Sequence, residues 1–300
     1  MNNISTVIVV KGSPIHIMET IKSVHAISAE ILVADIGIDF LLHKELKRIQ
    51  KVKILTIKED VPYVELIREK VKNYAKYNHV LLLDPDEVVP QNLIDIIVEH
   101  QDCDYMVIPR KNIIFGKWIR YSRWYPDYQV RYFNKKNVEW PTRIHAQPQV
   151  NGEGITLEPK EEYSLLHYNY ESLDEYLSKA MRYAKSEASN LAGSKTYNLK
   201  EASNRGIGEF VSRFFAEHGY KDGMHGFVLS FLQLFYSFLV YFYVWEMKKY
   251  PSKGSTEIMD DADWFFSRGM YETQHWLLKS APPKNKGQFL KMKLIQKIFK

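Results

Sequence analysis

The chain contains a single cysteine, Cys103, in 300 residues. One thiol excludes an internal disulfide and any thiolate metal cluster, and it fits a reducing compartment. Cys103 itself reads as a small buried apolar residue. The N-terminus shows no basic region leading into an apolar run with a small-residue cleavage site, so no secretory signal is expected and a cytoplasmic location is. Charge of one sign is also scarce. The net charge is +5, and its basic excess gathers near the C-terminus rather than along a helix with nucleic-acid spacing, so nucleic acid is not an expected partner. There is no internal repeat. Only one stretch, residues 227–245, runs without charge for a length that could cross a bilayer.

What is present describes a folded protein, with 45% hydrophobic and 26% charged residues. Three hundred residues can bury a substantial core, and the pattern divides them into a catalytic domain, 1–170, and a helical C-terminal region, 171–300. Aromatic residues make up 14% and concentrate around 115–140 and 227–245, places suited to ligand stacking or to contact with an apolar phase.

Short apolar segments at 6–10, 30–34, 53–57 and 79–83 read as buried strands, and helical spacing appears between them at 15–26 and 63–77. Strand–helix alternation predicts an α/β fold with a mainly parallel sheet, whose ligands bind beyond the carboxyl ends of the strands. A helix at 91–99, strands at 104–110 and 164–167, an irregular aromatic stretch to 140 and a helix at 173–191 follow. Residues 192–203 read as a polar link, with a further helical section beyond them.

The strand at 79–83 stops at Asp84-Pro85-Asp86-Glu87, three carboxylates in four residues. Ionising them together is costly unless a cation is bound, and oxygen ligands suit Mg2+ or Mn2+. In extended backbone Asp84 and Asp86 project to the same side, so both can serve one metal, which can neutralise a diphosphate leaving group. Asp35 closes the second strand in a similar position, either at a bound nucleotide or as a turn or cap residue.

This segment, together with Val9-Val10-Lys11, Ile21-Lys22-Ser23-Val24 and the run from Glu30 to Asp39, resembles glycosyltransferase family 2, whose GT-A-type nucleotide-binding fold carries an Asp-X-Asp metal motif at a strand end. The resemblance implies that Lys11, Asp35 and Asp84 contact the nucleotide, that Asp84 and Asp86 hold Mn2+ or Mg2+, and that the donor is a nucleotide sugar, with UDP-sugars the first expectation. Gly12-Ser13 and Ile38 stand where the family often has Asn-Glu and Ser-Thr.

The stretches Arg110 to Trp118 and Trp124-Tyr125-Pro126-Asp127-Tyr128-Gln129-Val130-Arg131-Tyr132-Phe133 are similar to a subgroup that glycosylates the lipopolysaccharide core. Arg131 is then a candidate for donor phosphate or acceptor, with a structural ion pair as the alternative. An inverting transfer needs a general base near the acceptor hydroxyl. Asp127 is the expected base, with Glu139 and His145 as alternatives, since Ala146 stands where related enzymes often carry glutamate. His167, at the end of a short strand, is a candidate metal ligand; imidazole favours Mn2+.

Asp222-Gly223-Met224-His225-Gly226 leads into an apolar helix at 226–247, and the same subgroup has such an Asp-Gly-X-X-Gly entry. A single span would place the lysine-rich tail, 279–300, opposite a cytoplasmic catalytic domain. The expectation is therefore a helix lying on the membrane, with a homodimer or core contact and a span as the other readings. The tail interleaves lysines with Phe289, Leu290, Leu294, Ile295 and Phe299, a pattern that fits anionic lipid head groups, or else a solvated tail. The expected activity is metal-dependent transfer of a sugar to a cell-envelope glycan or glycolipid at the membrane surface. The alternatives are a nucleotidyltransferase acting on a sugar phosphate and a non-catalytic binding protein of the same fold.

Overall fold

The computed structural model describes residues 3–59, 61, 64–141, 147–194, 197–280 and 285–298. His145 and Phe299, both named above, lie outside them. The chain forms two compact units, 1–113 with 125–169, and 114–124 with 170–300. The second takes in 114–124, which a single cut after residue 170 would assign to the first.

In the first unit, β1 (Ile4–Gly12), β2 (Glu30–Ile38), β3 (Val52–Thr56) and β4 (His79–Leu83) are joined through α1 (Ile17–Val24), α2 (Phe40–Leu46) and α3 (Arg68–Asn73). β5 (Glu87–Val88), α4 (Gln91–Glu99), β6 (Tyr105–Ile114), β7 (Lys117–Trp118), β8 (Asp127–Asn134), β9 (Val138–Glu139), β10 (Gln149–Val150), β11 (Gly154–Thr156) and β12 (Leu165–Tyr170) follow. The sheet order is β3-β2-β1-β4-β8-β6-β12-β5. β1 runs parallel to both β2 and β4, and β2 to β3, while β8 is antiparallel to β4 and β6. This is the predicted α/β architecture.

Consecutive apolar residues make β1 a strand covered on both faces. Ile8, Ile31, Val33 and Leu83 meet α1, α2 and α4 through Ile21, Leu46 and Leu93. Val7, Val9, Leu32 and Leu82 meet Val71 and Ala75 around α3, with Phe133 of β8 and Trp140. Glu30 fastens the edge remote from the site, accepting from Ser5 Oγ at 2.7 Å and the Lys76 amide at 2.5 Å, with Lys53 Nζ at 3.0 Å.

Three local departures from the sequence pattern have physical causes. α2 forms where no helix is expected, because only Leu42 and Leu46 of its seven residues are buried, too weak a periodicity to read. α3 covers only part of 63–77, and a 3-10 turn, Val64–Leu66, precedes it. β8 lies inside the aromatic stretch expected to be irregular. Tyr132 and Phe133 are fully buried on its two faces, but its polar first half conceals the strand.

The second unit is helical: α5 (Leu173–Leu191), α6 (Leu199–Val211), α7 (Met224–Met247), α8 (Ser255–Ser280) and α9 (Lys286–Ile298). Ser172 caps α5 by accepting the Glu175 amide at 3.2 Å, and Asn198 caps α6 by accepting that of Glu201 at 3.0 Å. The Asn198 cap starts α6 inside the stretch expected to be a link. Asp222 is 3% exposed. Its carboxylate accepts the amides of Arg120 and Tyr121 at 3.2 and 2.9 Å, and its carbonyl accepts Lys117 Nζ at 2.7 Å. The Asp-Gly-X-X-Gly entry to α7 therefore organises residues 117–121. A Cβ on Gly226 would lie 1.8 Å from the Gly219 carbonyl oxygen, so the entry needs glycine there.

Candidate active site

Parallel pairing sets the edge of the site. Val10 pairs with Asp35, and Ile8 with Leu83, so Asp35 and Asp84 leave the sheet at nearly the same level on either side of β1. Two strand spacings of about 4.8 Å separate them. Their side chains then part. Asp35 Oδ1 accepts the amides of Gly37 and Ile38 at 2.9 and 2.8 Å, and Oδ2 lies 4.0 Å from His43 Nε2 on α2. Asp84 instead meets Arg68 of α3. The two acids share an edge and lean toward helices on opposite faces, because side chains alternate along a strand. Asp35 thus shapes the turn that follows β2. Lys11 stands exposed at the end of β1.

Arginines surround Asp84. Its Oδ2 lies 2.6 Å from Arg131 Nη2 and 3.8 Å from Arg110 Nη1, and its Oδ1 is 2.9 Å from Arg68 Nη2. Glu87 is fully buried beside it. Glu87 Oε1 accepts from Arg131 at 2.7 Å and Arg110 at 3.1 Å, while Oε2 accepts the Asp84 amide at 2.9 Å. Burial alone would raise the pKa of Asp84, but the guanidinium groups of Arg131, Arg68 and Arg110 outweigh it and hold the carboxyl far below the ordinary range. Burial likewise works against charged Arg131, and Asp84 and Glu87 more than offset it, so its pKa is raised. The acids that follow β4 are therefore balanced chiefly by arginine, where the sequence led us to expect a cation at Asp84.

Arg131 reaches this cluster through a bulge. Val107 pairs with Val130 and Met106 with Tyr132, so Arg131 is an extra residue in β8 opposite that step. Bulges re-aim side chains, and here the guanidinium is 1% exposed. In this arrangement Arg131 pairs with Asp84 and Glu87.

A second chain of contacts lies alongside. Asp127 pairs with Arg110 in the β6–β8 register and accepts from its Nε at 2.9 Å and Nη2 at 2.5 Å. Asp127 Oδ2 also accepts Asn112 Nδ2 at 3.1 Å, and Oδ1 accepts Gln129 Nε2 at 2.9 Å. Because an ionised carboxylate only accepts, Asn112 must turn its NH2 toward Asp127 and its Oδ1 toward His167 Nδ1, 2.6 Å away. Nδ1 then donates to Asn112, and Nε2 lies 3.7 Å from Asp86 Oδ1. The β5–β12 pair builds this meeting, setting His167 opposite Glu87, with the Tyr168 amide bound to the Asp86 carbonyl at 2.9 Å. Thr20 Oγ1 holds the Pro85 carbonyl at 3.0 Å from the other side.

Among the described residues no three His, Cys, Asp or Glu side chains form a ready-made metal site. Asp86 and His167 nonetheless fit a divalent cation as a pair. Their donor atoms are 3.7 Å apart, within reach of one ion at bond lengths of about 2.1 Å. Orientation of a histidine through its other nitrogen is the usual support for a metal ligand. Diphosphate and water can complete such a shell. Of the residues expected at the site, Asp84, Asp86, Asp127, Arg131 and His167 come together, while Lys11 and Asp35 stand along the same strand edge. Glu139 lies on the small β9–β10 ribbon. Arg68, Glu87, Arg110 and Asn112 belong to the site without having been singled out. Arg110 and Asn112 alternate along β6 as residues i and i+2, a weak signal that becomes legible once β6 is known to pair with β8.

No family model matches the sequence. Among solved structures, the chain is similar to S. aureus TarS with 14% identity and a TM-score of 0.40, over 74% of this chain and 45% of that one. It is similar to the bifunctional IspDF from Campylobacter jejuni with 11% identity and a TM-score of 0.38, over 55% and 52% of the two chains. For GalNAc-T7, determined with UDP, GalNAc and Mn2+, the values are 19% and 0.30, over 37% and 23%. This chain thus spans less than half of the TarS chain, and likeness this distant assigns it no activity, substrate or ligand.

Proposed function

We propose that this chain is a glycosyltransferase that moves a sugar from a nucleoside-diphosphate donor, UDP-sugars first among them, to a hydroxyl of a cell-envelope glycan or glycolipid. What supports the reading is the convergence of Asp86, His167 and Asp127, coupled through Asn112, beyond the carboxyl end of a parallel βα sheet, where such folds take nucleotides. Asp86 and His167 would hold Mg2+ or Mn2+, which when bound supplies positive charge for the departing diphosphate. The acceptor oxygen forms a bond to the anomeric carbon as the bond to the diphosphate oxygen breaks, inverting that centre. Asp127, one quarter exposed, takes the hydroxyl proton, and Arg110 and Gln129 fix its orientation. The buried Asp84–Arg131–Glu87 cluster keeps β4, β5 and β8 in register beneath the reacting groups.

The test is nucleoside-diphosphate release from a panel of nucleotide sugars with Mn2+ or Mg2+, with and without acceptor glycans. Turnover should stop on chelation and in Asp86→Ala. Full turnover under chelation would remove the metal role, and no release with any donor would remove the transferase reading.

A further inference from the structure

α7 has two dissimilar sides, and the polar one is fully engaged within its own unit. Gly226, Leu229, Ser230, Ser237, Val240 and Val244 are buried. On the same side Gln233 Nε2 donates to Tyr176 at 2.7 Å, and Tyr236 donates to Glu187 at 2.8 Å. At about 100° per residue, Phe227, Phe231, Phe235, Phe242 and Trp245 fall on the opposite side. They are 39–50% exposed, a stripe of large aromatic rings facing outward without a polar break.

Beside that stripe lies an apolar cavity of about 370 Å³ among α6, α7 and α8. Ile207, Phe210, Phe227, Phe231, Phe266 and Met270 line it, with Thr273 contributing the one side-chain hydroxyl among the described residues. Phe266 is 72% exposed at its rim. Gly269 is part of the wall, and a Cβ there would meet only Ile207 Cδ1, at 4.0 Å. α9, packed on α8 through buried Met292 and a His275–Gln296 bond of 3.2 Å, adds charge of one sign. It has Lys286, Lys291, Lys293 and Lys297 and no acid, while Phe289, Leu290, Leu294 and Ile298 are exposed.

We infer that α7, α8 and α9 form a docking face for an anionic lipid bilayer, with the cavity taking an acyl chain and the α9 lysines the phosphate head groups. Apolar rings interleaved with lysines match the boundary between acyl chains and anionic head groups. α8 carries Glu257, Asp260, Asp261, Asp263 and Glu272, of which Asp261 pairs with Lys253 and Glu272 with Arg268, so the net positive charge of the face is confined to α9. α7 keeps one side against α5 and α6 and, on this reading, lays its aromatic side along the bilayer surface. The proposal is independent of sugar transfer and is tested without any donor.

The experiment is flotation of the full chain with phosphatidylcholine vesicles, with and without phosphatidylglycerol. We expect flotation with the anionic vesicles and about tenfold less with the neutral ones. Gly269→Leu fills the cavity while raising helix propensity, so it should fold, keep its melting temperature and lose about tenfold in binding. Lys291→Glu, Lys293→Glu and Lys297→Glu together should do the same. No flotation, equal flotation with both vesicles, or unchanged binding by Gly269→Leu overturns the proposal. So does a wild-type dimer that Phe231→Asp splits, since a second copy would then cover the face.

Discussion

Arg131 donates to Asp84 across 2.6 Å from an extra residue in β8, so a buried ion pair stands at the bulge. Asp84→Asn leaves the buried guanidinium with Glu87 alone and should cost about 3–5 kcal/mol in urea unfolding. The pH dependence has a definite sign. In the unfolded chain Asp84 titrates near the ordinary value of about 3.9, and in the folded chain well below it. Its contribution is complete above that ordinary value and declines as pH falls below it toward the folded one. Wild-type stability should therefore drop more steeply than that of Asp84→Asn below about pH 4.

Asn112 holds His167 through Nδ1. Asn112→Leu removes the acceptor 2.6 Å from Nδ1 and should weaken Mn2+ binding about 10- to 100-fold. Titrating Mn2+ by its paramagnetic effect on water relaxation, with no donor present, checks this directly. Unchanged affinity would show that His167 is oriented by something else.

Asp127→Asn keeps the shape and removes the base. Turnover should fall about 10²- to 10⁴-fold with the KM for donor little changed. A lost donor affinity at normal turnover would instead make Asp127 a binding residue.

The Cys103 thiol is pushed up to about 11, first by burial and then by neighbouring Asp104 and Asp102. The thiolate is the nucleophile, so iodoacetamide at neutral pH should label the folded chain far more slowly than the urea-unfolded one. Intact-mass measurement suffices, since the chain has one cysteine.

Gly226→Ala places a methyl group 1.8 Å from the Gly219 carbonyl oxygen. Relieving the clash should cost about 1–3 kcal/mol, read as a lower melting temperature with loss of far-UV helix signal at a lower temperature than wild type.

Much of the fold was legible because its signals are local. Unbroken apolar residues in β1 and β4 mark strands buried on both faces, and Leu173–Leu191 and Gln91–Glu99 carry the helical period that the structure repeats. The acidic stop after Leu83 could be read in the same way. β8 could not be read so well, because half its residues serve charge clusters and its alternation is broken by the bulge at Arg131.

The sequence by itself determined the βα alternation, the strand ends at which the acids stand, and the apolar helix entered through Asp222 and Gly226, since each depends on neighbours close in the chain. Only the tertiary structure decided that Asp84 faces three arginines while Asp86 faces His167. Those partners come from α3, β6, β8 and β12, and strand pairing across distant segments, with one extra residue in β8, sets which charges meet.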